Sequence, residues 1–516
     1  MTKGEQFLKE EHFVTWLAIK HHRTHKGAML DFVNYPYVRQ IYMDREDKSI
    51  MKSTQCGVSE MFVAEAIGNS IKGRSIFYVL PTFDLVGRFV KNRVDKSIGF
   101  SKYYSDIVKN SSAGKSDAVS LKHIGKGAIA FVGSNTQKPF TEYPADMVII
   151  DELDQCDQGN IQMAVERMSA SDMRRMIRTS QPSVKGFGIH KDWLESCQFT
   201  WHVTCGCGHE IKPDFFKHVV REVADKEFVL RDTKYEWDSN RDINLICDKC
   251  ERPFNARAEG RWIPQKKGKH AYHISKLFTT HVTVKELVDR FNDGLIDIDI
   301  LQRFYNGDLG LPYTAAGSKI DKEMLDRCIA DYTMTGSTLG ACVIGIDVGT
   351  MLHVRINRVC PDGKLQAVYI GSVRDENEIN DLFDKFKIVA GVIDANPERR
   401  MAERLCRRNR GLFRCYYGEV KNDTVDSIKK TITVDRTAAL DNVAAMIVSR
   451  NLILPKNAES IEDYYEQMQA STRLFMSSGN KGSGTYKWVE SGADHFFHSE
   501  AYALLAKNLS IVMANK

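Results

Sequence analysis

The fold is decided by the stretch SIMKSTQCGVSEMFVAEAIGNSIKG, residues 49–73, which predicts a strand, a polar turn and a helix. The turn has the spacing of a phosphate-binding loop, in which a glycine, a lysine and a hydroxyl bind phosphates and Mg²⁺. Gly57 and Ser59 stand at the glycine and hydroxyl positions, whereas Val58 replaces the usual lysine and Lys52 stands where the first glycine would be. We predict that Lys52 points into the curled loop, where the amides of the following helix also bind the anion. The alternative is a generic strand, turn and helix.

A second strand predicts the catalytic half of the same nucleotide site. Residues 145–154, ADMVIIDELD, form an apolar run that ends in Asp151 and Glu152. In ATPases with this order of motifs, the aspartate holds Mg²⁺ through water and the glutamate polarises the attacking water. The next predicted strand ends in Thr179-Ser180-Gln181-Pro182, where Ser180 is placed to sense the γ-phosphate. The two motifs together predict ATP binding, although strands often end in acids for structural reasons alone.

Apolar strands alternate with helical segments around these motifs. Residues 74–81 and 127–135 are further apolar runs, and a basic helix is predicted between them. This alternation predicts a parallel α/β sheet that is covered on both faces. Arg88 and Arg93 on the basic helix are candidates for an arginine finger, acting in cis or from a neighbouring subunit. The alternative for either arginine is a solvated helix face.

Four of the twelve cysteines predict a structural metal site. A C-x-C pair and a C-x-x-C pair some 40 residues apart suit tetrahedral Zn²⁺, and four protein ligands leave no position open for catalysis. The predicted ligands are Cys205, Cys207, Cys247 and Cys250. Because the first pair is one residue tighter than usual, His209 is an alternative ligand, and four free thiols are the other alternative. The other eight cysteines are expected to be small core residues.

The last third of the chain carries separated acids on predicted strands and a helix. Asp347 lies in a first strand, Asp394 ends a later strand, and Asp494 stands at the head of the last helix. Such a set suits two Mg²⁺ or Mn²⁺ ions in a ribonuclease H-like nuclease, where they activate water and stabilise the leaving oxygen. His498 or Glu500 could supply the third ligand instead, and the alternative role of Asp494 is to cap the helix.

A basic stretch near the acids predicts a surface for DNA phosphates. The alternative is a solvated helix face. The stretch contains Arg399, Arg400, Arg404, Arg407, Arg408, Arg410, Arg414, Lys421, Lys429 and Lys430.

The overall composition bounds the class of protein. A chain of 516 residues suggests two to four domains, and 43% hydrophobic residues exclude a mostly disordered chain. The net charge of +5 is too small to indicate a nucleic-acid partner by itself. No run approaches the roughly 20 apolar residues of a membrane span, and residues 1–13 lack the apolar core of a signal peptide. We therefore expect no membrane partner.

Taken in order, these parts resemble the large terminase subunit of tailed bacteriophages, of the lambda type. The stretches that carry the resemblance are KSTQCGVSE (52–60), PTFDLVGRFVK (81–91), VIIDELD (148–154), the two cysteine pairs, GRWIP (260–264), FYNGDLGLPY (304–313) and DHFFHSEAYALLA (494–506). The resemblance implies an α/β chain with an ASCE-type P-loop ATPase domain, a zinc-ribbon insertion and a ribonuclease H-like nuclease domain. We place the ATPase core at 1–198, the insertion at 199–264, the remainder of the ATPase domain and a linker at 265–335, and the nuclease at 336–516.

The resemblance also implies an activity and partners. The chain is expected to use ATP, Mg²⁺ or Mn²⁺ and structural Zn²⁺ while it translocates viral double-stranded DNA into a procapsid and cuts concatemers. Expected partners are the portal protein, a small terminase subunit and further copies in a ring, a pentamer, on the portal; a monomer is an alternative for the isolated chain. It would act in the host cell cytoplasm and transiently at the portal. Candidates for contact with adenine are Tyr37, Arg39 and Gln40.

Two other interpretations remain open at this level. One is a cellular helicase-like ATPase fused to a resolvase-type nuclease, although a second helicase module is not evident between residues 200 and 335. The other is a zinc-ribbon DNA-binding adaptor with degenerate ATPase and nuclease sites, for which the shifted Lys52 is the best argument.

Overall fold

The structure is a computed structural model that describes residues 6, 9, 12–30, 32–110, 118–224, 227–231, 244–279, 282–314, 318–334, 336–418, 420, 422–477 and 484–514. The chain forms two compact units, Met1–Tyr313 and Thr314–Lys516. Among the helices in the described ranges, none has both the length and the apolar composition needed to cross a bilayer.

The first unit alternates helices and strands as its sequence predicts. Its helices are α1 (Phe13–His21), α2 (Pro36–Met43), α3 (Val58–Ile71), α4 (Phe83–Phe89), α5 (Asp95–Phe100), α6 (Lys102–Lys109), α7 (Pro139–Glu142), α8 (Gln158–Ala164), α9 (Gly188–Leu194), α10 (Phe215–His218), α11 (Val284–Ile296) and α12 (Ile298–Arg303). Its strands are β1 (Lys48–Lys52), β2 (Ser75–Leu80), β3 (Leu121–Ile124), β4 (Gly127–Gly133), β5 (Met147–Asp151), β6 (Arg175–Ser180), β7 (Thr200–Thr204), β8 (Glu210–Ile211), β9 (Val220–Ala224), β10 (Glu227–Leu230), β11 (Asn244–Ile246), β12 (Pro253–Asn255), β13 (Gly260–Ile263) and β14 (His270–Ile274).

Seven strands form the main sheet of this unit, in the order β14-β1-β6-β5-β2-β4-β3. All neighbours are parallel except β3, which pairs antiparallel with β4. Alternate side chains of the central strands enter two different cores, so that Ile50 and Tyr78 pack on one face while Met51 and Phe77 pack on the other. Because both faces are buried, the strands are nearly continuous apolar runs. The predicted parallel α/β sheet is confirmed.

Three small antiparallel sheets lie between β6 and β14 along the chain. They have the orders β13-β7-β8, β10-β9 and β11-β12. After residue 198 the sequence changes from long apolar runs to short segments among charged residues, and the strands formed there are correspondingly short. The β7–β8 and β11–β12 hairpins carry the four predicted zinc ligands at their turns.

The second unit is also an α/β structure. Its helices are α13 (Lys322–Asp326), α14 (Glu376–Lys385), α15 (Arg399–Arg408), α16 (Arg436–Val448), α17 (Tyr464–Met468) and α18 (His495–Ala514). Its strands are β15 (Thr338–Val348), β16 (Leu352–Val359), β17 (Leu365–Val373), β18 (Phe386–Asp394), β19 (Leu412–Tyr417), β20 (Thr424–Asp426), β21 (Thr431–Val434), β22 (Leu452–Ile453), β23 (Ser471–Ser477) and β24 (Gly484–Glu490).

Eight of these strands form one mixed sheet, in the order β20-β21-β19-β18-β15-β16-β17-β22. The meander β15-β16-β17 is antiparallel, whereas β15, β18, β19 and β21 run parallel. Helix α18 packs so closely on β15 that a Cβ at Gly345 would lie 2.0 Å from the carbonyl oxygen of Ser499. The close contact fixes the last helix against the strand that carries Asp347.

Two elements differ from the sequence-based expectation. Strand β14 lies within residues 265–335, where we predicted no strand from the sequence, because His270 and His273 interrupt the apolar run of its short sequence HAYHI. The basic helix after Pro81 is interrupted by a π-helical segment at Val90–Val94, and a second such segment covers Phe304–Leu309.

Candidate functional site

The predicted phosphate-binding loop joins the end of β1 to the start of α3. Gly57 has φ of +83° immediately before α3, a left-handed conformation that favours glycine. The Lys52 ammonium donates to Glu152 Oε1 at 2.7 Å, so the shifted lysine does point across the loop. Burial opposes its charge, but the carboxylates of Glu152 and Asp151 outweigh burial and raise the pKa of Lys52 above its usual value. Lys52 is therefore protonated and available to bind an anion.

Asp151 lies buried at the end of β5, beside the hydroxyl of the loop. Its carboxylate accepts hydrogen bonds from Ser59 and from the Tyr78 hydroxyl, the latter at 3.0 Å. Burial raises the pKa of Asp151, and the charge of Lys52 opposes that rise. The other carboxylate oxygen, Oδ1, is buried without a hydrogen-bond partner among the described residues. A hydroxyl and a carboxylate with an unsatisfied oxygen are suitable partners for a hydrated Mg²⁺ ion.

Glu152 follows in a strained backbone conformation. Its φ of +60° is uncommon for a residue with a side chain and costs about 1–2 kcal/mol. The strain turns its carboxylate toward the loop, where Oε1 meets Lys52 and Oε2 lies 3.5 Å from the amide of Gln181. Ser180 is fully buried, and its hydroxyl donates to the Gln181 carbonyl and accepts from the Asp154 amide. Among residues 179–182 at the end of β6, Gln181 is therefore the one that contacts Glu152.

The two candidate arginines differ in their surroundings. Arg93 lies 3.4 Å from a carboxylate oxygen of Glu60, the residue after the loop hydroxyl, and His22 and His25 contact the same carboxylate. Arg88 is exposed and forms no ion pair among the described residues. Within one copy of the chain, Arg93 is therefore tied to α3, whereas Arg88 is free to reach a neighbouring molecule.

A segment about 250 residues further along the chain packs against the phosphate-binding loop. Residues 304–313 return to it, and the Gly307 carbonyl accepts from the Thr54 amide at 2.8 Å. Gly310 has φ of +67°, and a Cβ there would lie 2.5 Å from the carbonyl oxygen of Ile274. From the sequence we recognised this segment as a distinctive motif, but we did not predict that it packs against the phosphate-binding loop. Its two glycines were the available signal, because glycine is needed where backbones meet closely.

The three adenine candidates contact protein groups. Tyr37 is buried and donates to the backbone of the phosphate-binding loop at 3.0 Å. Arg39 forms an ion pair with Glu259, and the Gln40 side chain accepts from the Trp262 amide at 3.2 Å. Helix α2 thus lies between the phosphate loop and β13.

The four predicted zinc ligands converge in the first unit. The Sγ atoms lie 3.7 Å apart in Cys205 and Cys250, and 3.9 Å apart in Cys207 and Cys247. All four sulfur atoms lie within 4.8 Å of one another. Four sulfurs at these distances suit the corners of a tetrahedron around Zn²⁺, for which the sulfur–metal distance is about 2.3 Å.

The backbone around the cysteines further fits a metal knuckle. The His209 amide hydrogen bond is the main cause that lowers the pKa of Cys207 to about 7, which favours the thiolate that binds metal. The His209 ring instead pairs with Asp248 at 3.3 Å. Of the five side chains considered, the four cysteines and not His209 therefore form the cluster.

The acids of the second unit meet at the carboxyl ends of β15 and β18. Asp347 and Asp394 lie on these adjacent parallel strands. Burial and then the charge of Asp347 raise the pKa of Asp394 to about 6. His495 Nδ1 lies 2.8 Å from Asp347 Oδ2, and the His353 ring stacks on that of His495 at 4.5 Å. Asp347, His353 and His495 place one ligand atom each within 4.8 Å, a metal-compatible group whose histidines the sequence did not single out.

Asp494 lies beside this group but is extensively bonded. Its carboxylate accepts from Ser471 at 2.6 Å and lies 3.5 Å from His498 Nε2 and 3.6 Å from Arg436. Against the effect of burial, these partners lower the pKa of Asp494 to about 2, so it carries a full negative charge. The other ring nitrogen of His498, Nδ1, lies 2.8 Å from the Tyr417 hydroxyl, so its ring bridges Asp494 and Tyr417.

Glu500, the other alternative ligand, is bonded to protein groups in the interior. It is fully buried, pairs with Arg355 and accepts from the Asn357 side chain at 2.6 Å. Both of its oxygens are therefore occupied by protein donors. Lys421, part of the predicted basic surface, lies outside the described residues.

Comparisons with known proteins agree with this arrangement. The family model described as the ATPase domain of the phage terminase large subunit gpA matches residues 28–265, and that described as the terminase large subunit gpA endonuclease domain matches residues 269–362. The crystal structure of the HK97 bacteriophage large terminase has a TM-score of 0.51 at 11% identity, over 99% of this chain and 100% of that one. It supports the same fold.

Two other solved structures are more distant. The large terminase of a thermophilic bacteriophage, in its second crystal form, has a TM-score of 0.30 at 12% identity, over 91% of this chain and 95% of that one. The ATPase domain of the Thermus phage P74-26 large terminase, in a mutant form, has a TM-score of 0.31 at 13% identity, over 56% of this chain and 96% of that one. No curated protein matches the chain.

Proposed function

Because the chain belongs to the family of phage terminase large subunits and carries that family's ATPase and endonuclease domains, we propose that it drives viral double-stranded DNA into a procapsid. ATP hydrolysis in the first unit would supply the work, and the nuclease of the second unit would cut concatemeric DNA. The observation that supports the motor most directly is the 2.7 Å contact between Lys52 and Glu152, because the shifted lysine and the proposed catalytic base then belong to one site. That contact argues against a degenerate ATPase site in a DNA-binding adaptor.

The residues of the first unit divide the ATPase chemistry among them. Lys52 and the amides after Gly57 would bind the phosphates, while Ser59 and Asp151 would hold a hydrated Mg²⁺ ion, whose charge would offset that of the phosphates. When phosphate takes over the positive charge of Lys52, Oε1 of Glu152 loses its partner and can accept a proton from the attacking water. Ser180 transmits the change through its bond to Gln181, which contacts Glu152. Arg88 is the better candidate for a finger acting on a neighbouring copy, because Arg93 is held by Glu60.

In the second unit, Asp347, Asp394 and Asp494 are the proposed metal-binding acids. We add His495, whose Nδ1 already lies against Asp347. Two metal ions at such a site activate water and stabilise the leaving oxygen. His498, whose Nε2 lies 3.5 Å from Asp494, would orient that carboxylate.

The cysteine cluster is proposed to hold structural Zn²⁺ and to fasten the two hairpins of a zinc-ribbon-like insertion at 199–264. Substitution of Cys247 by serine should lower the zinc content from one ion per chain to none, as measured by elemental analysis. Cys342, a buried cysteine of the second unit, provides the matched control, and its serine variant should retain the metal. Full zinc in the Cys247 variant would refute the site.

The proposed partners follow from packaging. They are double-stranded viral DNA, the portal of the procapsid, a small terminase subunit that selects the DNA, and further copies in a ring, a pentamer, on the portal. The chain would work in the host cell cytoplasm and bind the portal transiently. The proposed division into ATPase core (1–198), insertion, remainder with linker (265–335) and nuclease (336–516) assigns each step to a region.

One assay on the full chain tests the proposal. Phosphate release from ATP should rise when double-stranded DNA is added, and the same preparation should cleave plasmid only with Mg²⁺ or Mn²⁺. A rate of phosphate release that does not change when DNA is added would refute the motor. Unwinding of a forked duplex would instead support the helicase alternative.

A further inference from the structure

Helix α15 presents a row of arginines on its outward face. The helix buries Ala402, Leu405 and Cys406, and the opposite side carries Arg400, Arg404, Arg407 and Arg408. At 100° per residue these four arginines fall within an arc of roughly 100°. They therefore form one stripe, which runs along a helix of about 15 Å. We call these four residues the arginine stripe.

Among the described residues, several cations in and around the stripe are free of carboxylates, whereas others form ion pairs. Arg404 pairs with Glu376 at 3.2 Å and Arg407 with Glu403 at 2.8 Å, both in exposed geometry worth little to stability. In the described part of the chain, Arg399, Arg400, Arg408 and Arg410 form no ion pair. The surface thus has an excess of cations that the fold does not use.

A hydrogen-bonded turn near the end of the arginine stripe exposes an apolar side chain. Residues 427–430 connect β20 to β21, and Ile428 at their centre is 96% exposed. The Asp426 carboxylate accepts from the amides of Ile428 and Lys429, at 3.0 and 2.9 Å, so the turn is fixed by hydrogen bonds. The isoleucine therefore stands in water on a turn of fixed shape, beside the cations of the stripe.

The turn and the stripe are parts of one surface. The Lys430 ammonium donates to the carbonyl of Cys406 at 2.5 Å and to that of Asn409 at 3.3 Å, at the last turn of α15. Arg414 donates to the Lys429 carbonyl at 2.9 Å. The other end of α15 begins five residues after Asp394, so the surface extends from the proposed nuclease centre to Ile428.

We propose that the arginine stripe binds the phosphates of double-stranded DNA next to the nuclease, and that Ile428 inserts between base pairs from the minor groove. The inference rests on the proposed nuclease function and specifies how its substrate is held. Exposed apolar side chains flanked by cations are the means by which minor-groove proteins unstack a base step and kink the duplex. The stripe spans about four base-pair steps at 3.4 Å each, which sets the insertion a fixed distance from the cut.

The test measures duplex binding by full-length protein in which Asp347→Asn and Asp394→Asn prevent cleavage. One variant replaces Arg400, Arg404 and Arg408 by alanine, and its matched control replaces three cations elsewhere in the same unit, Lys322, Lys364 and Lys456. The slope of log K against log salt should become less steep by about 2 to 3 in the stripe variant, since each phosphate contact contributes about 0.9. The control should keep the parent slope, and a parent slope in the stripe variant would overturn the proposal.

Insertion of Ile428 is tested separately with 2-aminopurine in the duplex, a base whose fluorescence rises when it unstacks. Ile428→Ser should abolish the rise and weaken binding about tenfold without altering the salt slope. Val448, an apolar residue 65% exposed on α16, provides the control variant Val448→Ser, which should behave as the parent. An undiminished rise in Ile428→Ser would overturn the insertion.

The outcomes separate this inference from the proposed function. If the unsubstituted chain cleaves plasmid with metal while the stripe variant binds duplex as tightly as the parent, the nuclease stands and the stripe fails. If the unsubstituted chain cleaves no DNA under any metal, the proposed function fails first.

Discussion

At the scale of single residues, Lys52 and Glu152 form a direct ion pair. An ion pair of this kind, with the lysine buried, is stabilised only while both partners are charged. In the proposed mechanism, phosphate would replace this carboxylate as the partner of Lys52, so the pair would connect phosphate binding to release of the proposed catalytic base. Because of this contact, a substitution of Glu152 should change ATP turnover and nucleotide affinity in different directions.

Glu152→Gln should lower the rate of ATP turnover by at least about a hundredfold while nucleotide affinity stays equal or increases. The amide cannot take a proton from water, and it no longer competes with phosphate for the charge of Lys52. Phosphate release and binding of a fluorescent ATP analogue measure the two effects. Turnover within about threefold of the parent would exclude Glu152 as the catalytic base.

Lys48 gives a pH dependence with a defined sign. Burial lowers its pKa to about 8, against the pull of Glu65, whereas the unfolded chain has the usual value near 10.5. Between these values the unfolded state binds more protons than the folded state, so stability rises with pH from about 8 to 10.5, by about 3 kcal/mol in all. Below pH 8 the cost of burying the charge is fully present.

The measurement compares urea unfolding of the parent and Lys48→Met at pH 7.5 and pH 10. The parent should gain stability relative to the variant across this interval, followed through the tryptophan fluorescence of the first unit. Equal pH dependence in the two proteins would show that Lys48 titrates normally.

At the scale of elements, the local parts of both sites follow from sequence and the supporting parts do not. The strand-turn-helix around Gly57, the strand ending in Asp151 and the cysteine hairpins each have a short pattern that requires no partner. Strand β14 and the segment 304–313 reach the phosphate loop across more than 200 residues, and no local pattern encodes that pairing. His495 was likewise hidden, because its role depends on how α18 packs against β15.

Gly310→Ala should impair the nucleotide site from a distance. A Cβ at this left-handed position would meet backbone atoms at 2.5 and 2.8 Å, and backbone cannot move aside as a flexible side chain can. We expect a loss of at least about tenfold in nucleotide affinity, measured with the same fluorescent analogue.

Gly27→Ala is the matched control for Gly310→Ala. Its φ of +83° imposes similar backbone strain, but the nearest atoms to its Cβ lie 3.8 Å away in a side chain. Its nucleotide affinity should remain that of the parent, and an equal loss in both variants would attribute the effect to strain alone.

At the scale of the whole molecule, the residues proposed for ATP hydrolysis and those proposed for DNA cleavage lie in separate units. Asp347→Asn should abolish metal-dependent plasmid cleavage, by more than about a hundredfold, because it removes a ligand charge and the partner of His495. DNA-stimulated phosphate release should remain within about twofold of the parent. Cleavage that survives in the double variant Asp347→Asn, Asp394→Asn would place the nuclease centre elsewhere.

The support that residues 270–313 give to the phosphate loop has a consequence for synthesis of the chain on the ribosome. The loop itself emerges early, yet the strand beside it and the glycines beneath it emerge more than 200 residues later, after the cysteine hairpins. At about 5–20 residues per second, the nascent chain spends at least about ten seconds with an unsupported nucleotide site. A fragment that stops at residue 265 would lack both of these contacts, so we expect incomplete chains to bind and hydrolyse ATP less well than the full chain.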